Sequence, residues 1–228
     1  MSETILVITG DVAGSMKSGL ADSRDLLLSA FGQVAESFPE TRLGGAFQII
    51  RGDGFQGAFG SVARGLRCAL FFHAFFRSVR GKAGSPSGVR IGLGLGSGSI
   101  ETGGVLASTG EAFVLSGKAL DSMKDSRDAV MRIRSPWDAV NRILDMEFRL
   151  LEAVLDGWTM GQANVMAQAL RNTGNAMSQS MIARDLGVDQ SQVSRQLRKA
   201  RFGTLLALCD HVQFLADDAS GPGKEEPA

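Results

Sequence analysis

The first apolar run of the chain, TILVIT at residues 4–9, is rich in β-branched side chains and predicts a strand. Leu20, Leu27, Phe31 and Val34 then recur at helical spacing and predict a helix over residues 20–36. Two short apolar runs, Gly45 to Ile50 and Phe55 to Phe59, flank the turn-rich tetrapeptide Arg51-Gly52-Asp53-Gly54 and read as a hairpin. Residues 61–80 predict a second helix, apolar around so much of its circumference that it must be covered on more than one side. A loop by composition, GKAGSPSG at 81–88, leads into VRIGLGLGSG. There Val89, Ile91, Leu93 and Leu95 alternate with Arg90, Gly92, Gly94 and Gly96, which predicts a strand. Glycine along one whole face means that something approaches it closely: a packed helix, a partner subunit or a ligand. A third helix is expected over about residues 111–124.

This order, β, α, β, β, α, β, α, predicts an α+β fold: a ferredoxin-like sandwich with helices on one face of a mainly antiparallel sheet. Residues 135–217 carry no strand pattern and read as all-helical, entered at Ser135-Pro136. The polar tail, DDASGPGKEEPA, is expected to be disordered. The expected organisation is a sandwich domain at 1–130, a helical domain at 135–217 and a tail at 218–228.

Composition narrows the chemistry. With 24 basic and 24 acidic side chains the total charge is zero, so any basic surface must be local. Two histidines and two cysteines nearly exclude a Cys/His zinc site, and Cys68 and Cys209, each in an apolar helical stretch, read as buried thiols. His73, on a mainly apolar helix, reads as a satisfied core residue, and His211 as a surface one. No stretch is long and apolar enough for a bilayer, and a cytoplasmic protein is expected.

Local charge appears in MSQSMIARDLGVDQSQVSRQLRKARF, residues 177–202, where five basic side chains stand against two acidic ones. Ile182, Ala183, Leu186, Val188, Val193 and Leu197 have the spacing that lets two short helices pack across a tight turn at Gly187, with Ser178 and Asp189 as N-caps. The positions left over, Gln190, Ser191, Gln192, Ser194, Arg195, Arg198 and Lys199, together with Gln179 on the first helix, carry donors and acceptors suited to base edges and phosphates. From Thr159 onward the stretch resembles the helix-turn-helix of bacterial regulators of the sigma-region-four and MarR-like kinds. Helices at about 137–155 and 160–171 form its expected scaffold, with Trp137, Phe148 and Trp158 as core. One long final helix, 189–217, could serve dimerisation. The partners expected are double-stranded DNA and a second copy of the chain.

In the first half, Asp11 ends the first strand and Asp53 lies in the hairpin, so the topology brings two carboxylates to one edge of the sheet. Paired aspartates among glycines suit a hard divalent ion bridging to phosphates. The N–H groups of Val12, Ala13, Gly14 and Ser15 could cradle the phosphates ahead of the first helix. The motifs ITGDVAGS, GDGFQG, RIGLGLG and TGEAFVLSGKAL resemble the SatD family of bacterial proteins over about residues 4–123. More distantly, they are similar to class III nucleotidyl cyclases and GGDEF-type diguanylate cyclases. The resemblance implies Asp11 and Asp53 as metal ligands, with Mg2+ and a nucleoside triphosphate or a nucleotide second messenger as cofactors. It places the cyclases' asparagine on Val114 and their arginine on Lys118, and valine cannot orient a ribose. The expectation is therefore a DNA-binding transcriptional regulator with a cyclase-like sensor or dimerisation domain. Its rival is a metal-dependent nucleotidyl cyclase or nucleotidyltransferase with a helix-turn-helix for targeting.

Overall fold

A computed structural model describes residues 3–13, 20–38, 47–79, 88–101, 103–124, 126, 129–171 and 179–221. Among them the chain is α+β, with a five-stranded mixed sheet and eight helices. In chain order these are β1 (Glu3–Ala13), α1 (Leu20–Ser37), β2 (Gln48–Arg51), β3 (Gly54–Phe59), α2 (Val62–Val79), β4 (Gly88–Gly98), α3 (Glu111–Asp121), β5 (Met131–Arg134), α4 (Asp138–Asp156), α5 (Met160–Arg171), α6 (Gln179–Leu186), α7 (Gln190–Lys199) and α8 (Phe202–Ser220). The strands lie in the order β2-β3-β1-β4-β5, antiparallel except for the parallel pair β4–β5.

The central strand β1 is apolar on consecutive positions because it is covered on both faces. Leu6, Ile8 and Val12 enter the main core, whereas Ile5 and Val7 pack with Ala58, Val105 and Ala112 in a second cluster. On the first face, α1 and α2 bring phenylalanines together: Phe72 lies 4.8 Å from Phe47 and 4.9 Å from Phe55, ring centroid to centroid.

The second face corrects the expectation that all helices share one side of the sheet. Helix α3 lies on the glycine face of β4. A Cβ on Gly92 would overlap the Ser116 carbonyl oxygen and the Leu120 nitrogen, and one on Gly94 would overlap the Ala112 carbonyl oxygen. Of the three candidates for the close approach, a packed helix is the one seen at these two positions. Ser116 then reaches the sheet through its hydroxyl, 2.7 Å from Thr9 Oγ1, which also accepts a hydrogen bond from Gln56 Nε2 at 2.9 Å.

Residues 131–134, placed at the domain junction by the sequence pattern, form the edge strand β5, with Met131 and Ile133 buried. Glu152 of α4 ties it down, accepting from the Val130 nitrogen at 3.0 Å and pairing with Arg132. Helix α4 starts at Asp138, just past the Ser135-Pro136 entry, and Ser135 braces its first turn: its nitrogen and hydroxyl both donate to Asn141 Oδ1, at 2.8 and 3.0 Å.

One apolar cluster runs from β1 through α2 into α4, α5, α7 and α8. Helix α2 touches the sheet on one side and α5 and α8 on the other, which accounts for its all-round apolarity. Its arginines cap the helical half. Arg67 donates to the carbonyls of Leu170 at 2.9 Å and Ala169 at 3.2 Å, and Arg77 to those of Trp158 at 2.8 Å and Asp156 at 2.6 Å. Both groups of carbonyls sit where a helix ends and its last acceptors lack intrahelical partners. In return Gln213 of α8 accepts from the Ala63 nitrogen at 3.1 Å, at the start of α2.

Candidate nucleic-acid interface and carboxylate pair

The turn between α6 and α7 is built by the sequence GVD. Gly187 takes a left-handed φ of 65°, which closes α6. Its nitrogen donates to Arg184 O at 3.2 Å and the Val188 nitrogen to Ala183 O at 2.9 Å, the two bonds of a Schellman motif. Asp189 follows in extended backbone at the N-cap of α7, without a side-chain cap bond; Ser178 lies outside the described residues. Ile182, Ala183, Val193 and Leu197 are buried between the helices, with Leu186 and Val188 packed against the same core.

That packing fixes what α7 presents. Gln190, Ser191, Gln192, Ser194, Arg195, Arg198 and Lys199 are all exposed, and among the described residues Arg195, Arg198 and Lys199 have no ion-pair partner. Gln179, half-buried at the start of α6, accepts from Gln190 Nε2 at 3.4 Å. Ten residues give α7 a length of about 15 Å, suited to a major groove about 12 Å wide.

Below α7, α5 begins with a reciprocal cap: the Thr159 nitrogen donates to Gln162 Oε1 at 2.7 Å, and the Gln162 nitrogen to Thr159 Oγ1 at 3.2 Å. Trp158 and Phe148 are buried and Trp137 is half-buried, as expected of core aromatics. Trp158 also corrects the expectation of one helix from 189 to 217. Its indole Nε1 donates to Ala200 O at 3.2 Å, claiming a carbonyl that a continuous helix would use. Arg201 turns left-handed at φ 62°, and α8 starts afresh at Phe202.

His73 is buried beside Trp158, with ring centroids 5.6 Å apart, but it is only partly satisfied. It bonds the Leu155 backbone, whereas its Nε2 has no hydrogen-bond partner. Burial first, and then the Arg77 charge, lower its pKa to about 4. His211 is exposed and meets Glu147 Oε1 at 2.8 Å. Cys68 and Cys209 are free, buried thiols, and burial pushes Cys209 up to about 12, which keeps it a neutral thiol near pH 7.

In the sheet half, β1 and β3 pair Asp11 with Gly54, so Asp53 stands one residue from that register position. On its other side Asp11 is registered with Arg90 of β4. Arg90 grips it through both oxygens, Nε to Oδ1 at 2.9 Å and Nη2 to Oδ2 at 2.7 Å. That hydrogen bonding raises the Arg90 pKa, against a smaller desolvation effect, and the charges of Asp11 and Asp53 add to the rise. Asp53 is half-buried in the turn after Gly52. A divalent ion on Asp11 would have to displace the guanidinium that holds both of its oxygens. The carboxylate as it stands does not fit the ion.

Val12 and Ala13 lie inside β1, registered with Val89 and Gly88, so they belong to the strand ladder rather than to a loop before the helix. Gly14 and Ser15 lie outside the described residues. Lys118 is exposed on α3, one turn beyond Val114, which is also exposed. The residue that sequence reasoning missed is Arg90. Its position on the glycine face was visible, but its role follows only from the sheet order that sets β4 beside β1. Among the described residues no helix is long and apolar enough to cross a membrane. No protein-family model, no curated protein and no solved structure matches this chain, and the two sites rest on their own geometry.

Proposed function

We propose that the chain is a cytoplasmic DNA-binding regulator of transcription, in which α6 and α7 form a helix-turn-helix and α7 enters the major groove of duplex DNA. One observation carries the reading. Every outward position of α7 is polar or basic, and its cationic end is unpaired among the described residues, while its inward positions hold it rigidly to α5 and α6. Glutamines and serines at its start suit base edges, and Arg195, Arg198 and Lys199 suit phosphates.

The sheet half, in this reading a ferredoxin-like domain resembling the SatD family, is the regulatory half. Asp11, Asp53 and Arg90 together form a charged patch that a nucleotide or a partner could contact through Arg90 as well as through the carboxylates. The Asp11–Arg90 pair favours sensing over catalysis, because the carboxylate that a cyclase would give to its metal is already neutralised.

The test is a titration of the full chain on the duplex upstream of its own gene, at several salt concentrations, with and without magnesium and nucleoside triphosphates. Arg195→Ala and Arg198→Ala are each expected to weaken binding by more than about 1 kcal/mol and to reduce the salt slope by about one unit. Unchanged affinity in both variants removes α7 from the groove. An effect of nucleotide on binding that disappears in Arg90→Ala and Asp53→Asn would support the sensor, whereas nucleotide turnover would favour the enzyme.

A further inference from the structure

Helix α7 divides along its length. Its cations, Arg195, Arg198 and Lys199, lie in the second half, whereas the first half carries Gln190, Ser191, Gln192 and Ser194 behind the exposed Asp189. A neutral stretch that follows a carboxylate is a poor seat for phosphates, so in a groove it belongs over the base edges. Gln190, the first residue of α7, is also held before any duplex arrives: its Nε2 donates to Oε1 of Gln179, the first residue of α6, at 3.4 Å. Among the described residues no other outward side chain of α7 is braced against α6 in this way. The turn at Gly187 and the buried Ile182, Ala183, Val193 and Leu197 fix the two helices against each other, which gives the amide a rigid anchor.

We propose that Gln190, positioned by Gln179, reads the adenine of one A·T pair in the major groove, an inference that rests on the DNA-binding reading of α7. One Nε2 hydrogen goes to Gln179, which leaves the second N–H and the Oε1 of the same amide side by side. That donor and acceptor match adenine, whose N7 accepts and whose N6 amino group donates at the major-groove edge. Guanine presents two acceptors there, N7 and O6, and would set the amide oxygen against O6 with no proton between them. The brace matters because a free glutamine loses much rotamer freedom on contact, and one already held loses less. Gln190 is therefore the residue that determines specificity, and Gln179 a positioning residue that acts through it.

The test takes the full chain and a pool of duplexes randomised over about ten base pairs, one helical turn. Selection should return sites with a fixed A·T pair, and replacing that pair by G·C should weaken binding by about tenfold. Replacing its adenine by 7-deazaadenine, which lacks the N7 acceptor but keeps the base pair, should weaken the wild type and leave Gln190→Ala unmoved. Gln190→Arg should turn the preference at that position to guanine, whose O6 and N7 suit a guanidinium. Gln179→Met, which removes the amide oxygen, should blunt the preference at the same position alone, and Gln179→Glu, which keeps an acceptor there, should restore it. Gln190→Ala should keep the salt slope of the wild type, because the phosphate contacts are untouched. Selected sites without such a pair, a preference that persists in Gln190→Ala, or a wild type indifferent to 7-deazaadenine would each overturn the proposal, while a retained salt slope still supports α7 in the groove. Binding to no duplex at all overturns both readings.

Discussion

Gly94→Ala is expected to remove the cooperative thermal transition of the protein, or to leave it insoluble. The added methyl group would overlap the Ala112 carbonyl oxygen and lie close to the Ser116 nitrogen, both of them backbone atoms of α3. A clashing side chain can change rotamer, but a helix backbone can only move away as a unit. Moving α3 from β4 would break the Ser116–Thr9 hydrogen bond and uncover Ile5 and Val7. Overpacking in a core typically costs about 1–3 kcal/mol, and backbone overlap belongs above that range, against a total stability of about 5–15 kcal/mol. The control is Gly117→Ala on the same helix, where a Cβ would meet nothing within 4 Å. There the gain in helix propensity should stabilise by about 0.5–1 kcal/mol. A denaturant series that shows the two variants alike would refute this account of the glycine face.

Acid should destabilise the fold through His73. Its folded pKa of about 4 lies below the ordinary value of 6.5, so between those limits the unfolded chain binds the proton that the folded chain refuses. Stability is therefore full above about pH 6.5, falls as the pH drops towards 4 and loses nothing further from this group below that. The depression corresponds to roughly 3 kcal/mol over the whole window. The nearby charges oppose each other: Arg77 lowers the pKa and Asp156 raises it, both by less than burial does. His73→Leu should retain its neutral-pH stability while its urea midpoint falls less steeply between pH 7 and pH 4.5. Parallel slopes for the two proteins would show that other groups carry the acid sensitivity.

Much of the layout was legible because its signals are periodic. The alternation in β4, the apolar run of β1, the all-round apolarity of α2 and the α6–α7 hairpin each follow from positions a few residues apart. What escaped depended on distant neighbours. The strand β5 is only four residues long and half arginine, and Glu152 and the edge of β4 make it a strand. The break at Arg201 comes from Trp158, more than forty residues earlier, which takes the Ala200 carbonyl. The polar positions of α7 could be assigned from sequence because the hairpin packing dictates which side faces out. The register that sets Asp53 next to the partner of Asp11 could be read from the predicted strand order, whereas the contact with Arg90 could not, because Arg90 arrives from a third strand.

The shared position of α2 bears on modularity. Many regulators join a DNA-binding cassette to a sensor through a linker, so the cassette can be cut out, swapped or moved along the chain. Here the sheet and the helical half use opposite sides of one helix, and Arg67 and Arg77 stitch that helix to the ends of its neighbours. Severing the chain after β5 would strip α2 of the cover that α5 and α8 provide, and would leave α5 and α8 without the helix they rest on. The α6–α7 hairpin of this protein is not portable by itself: any re-engineering of it must carry the sheet along.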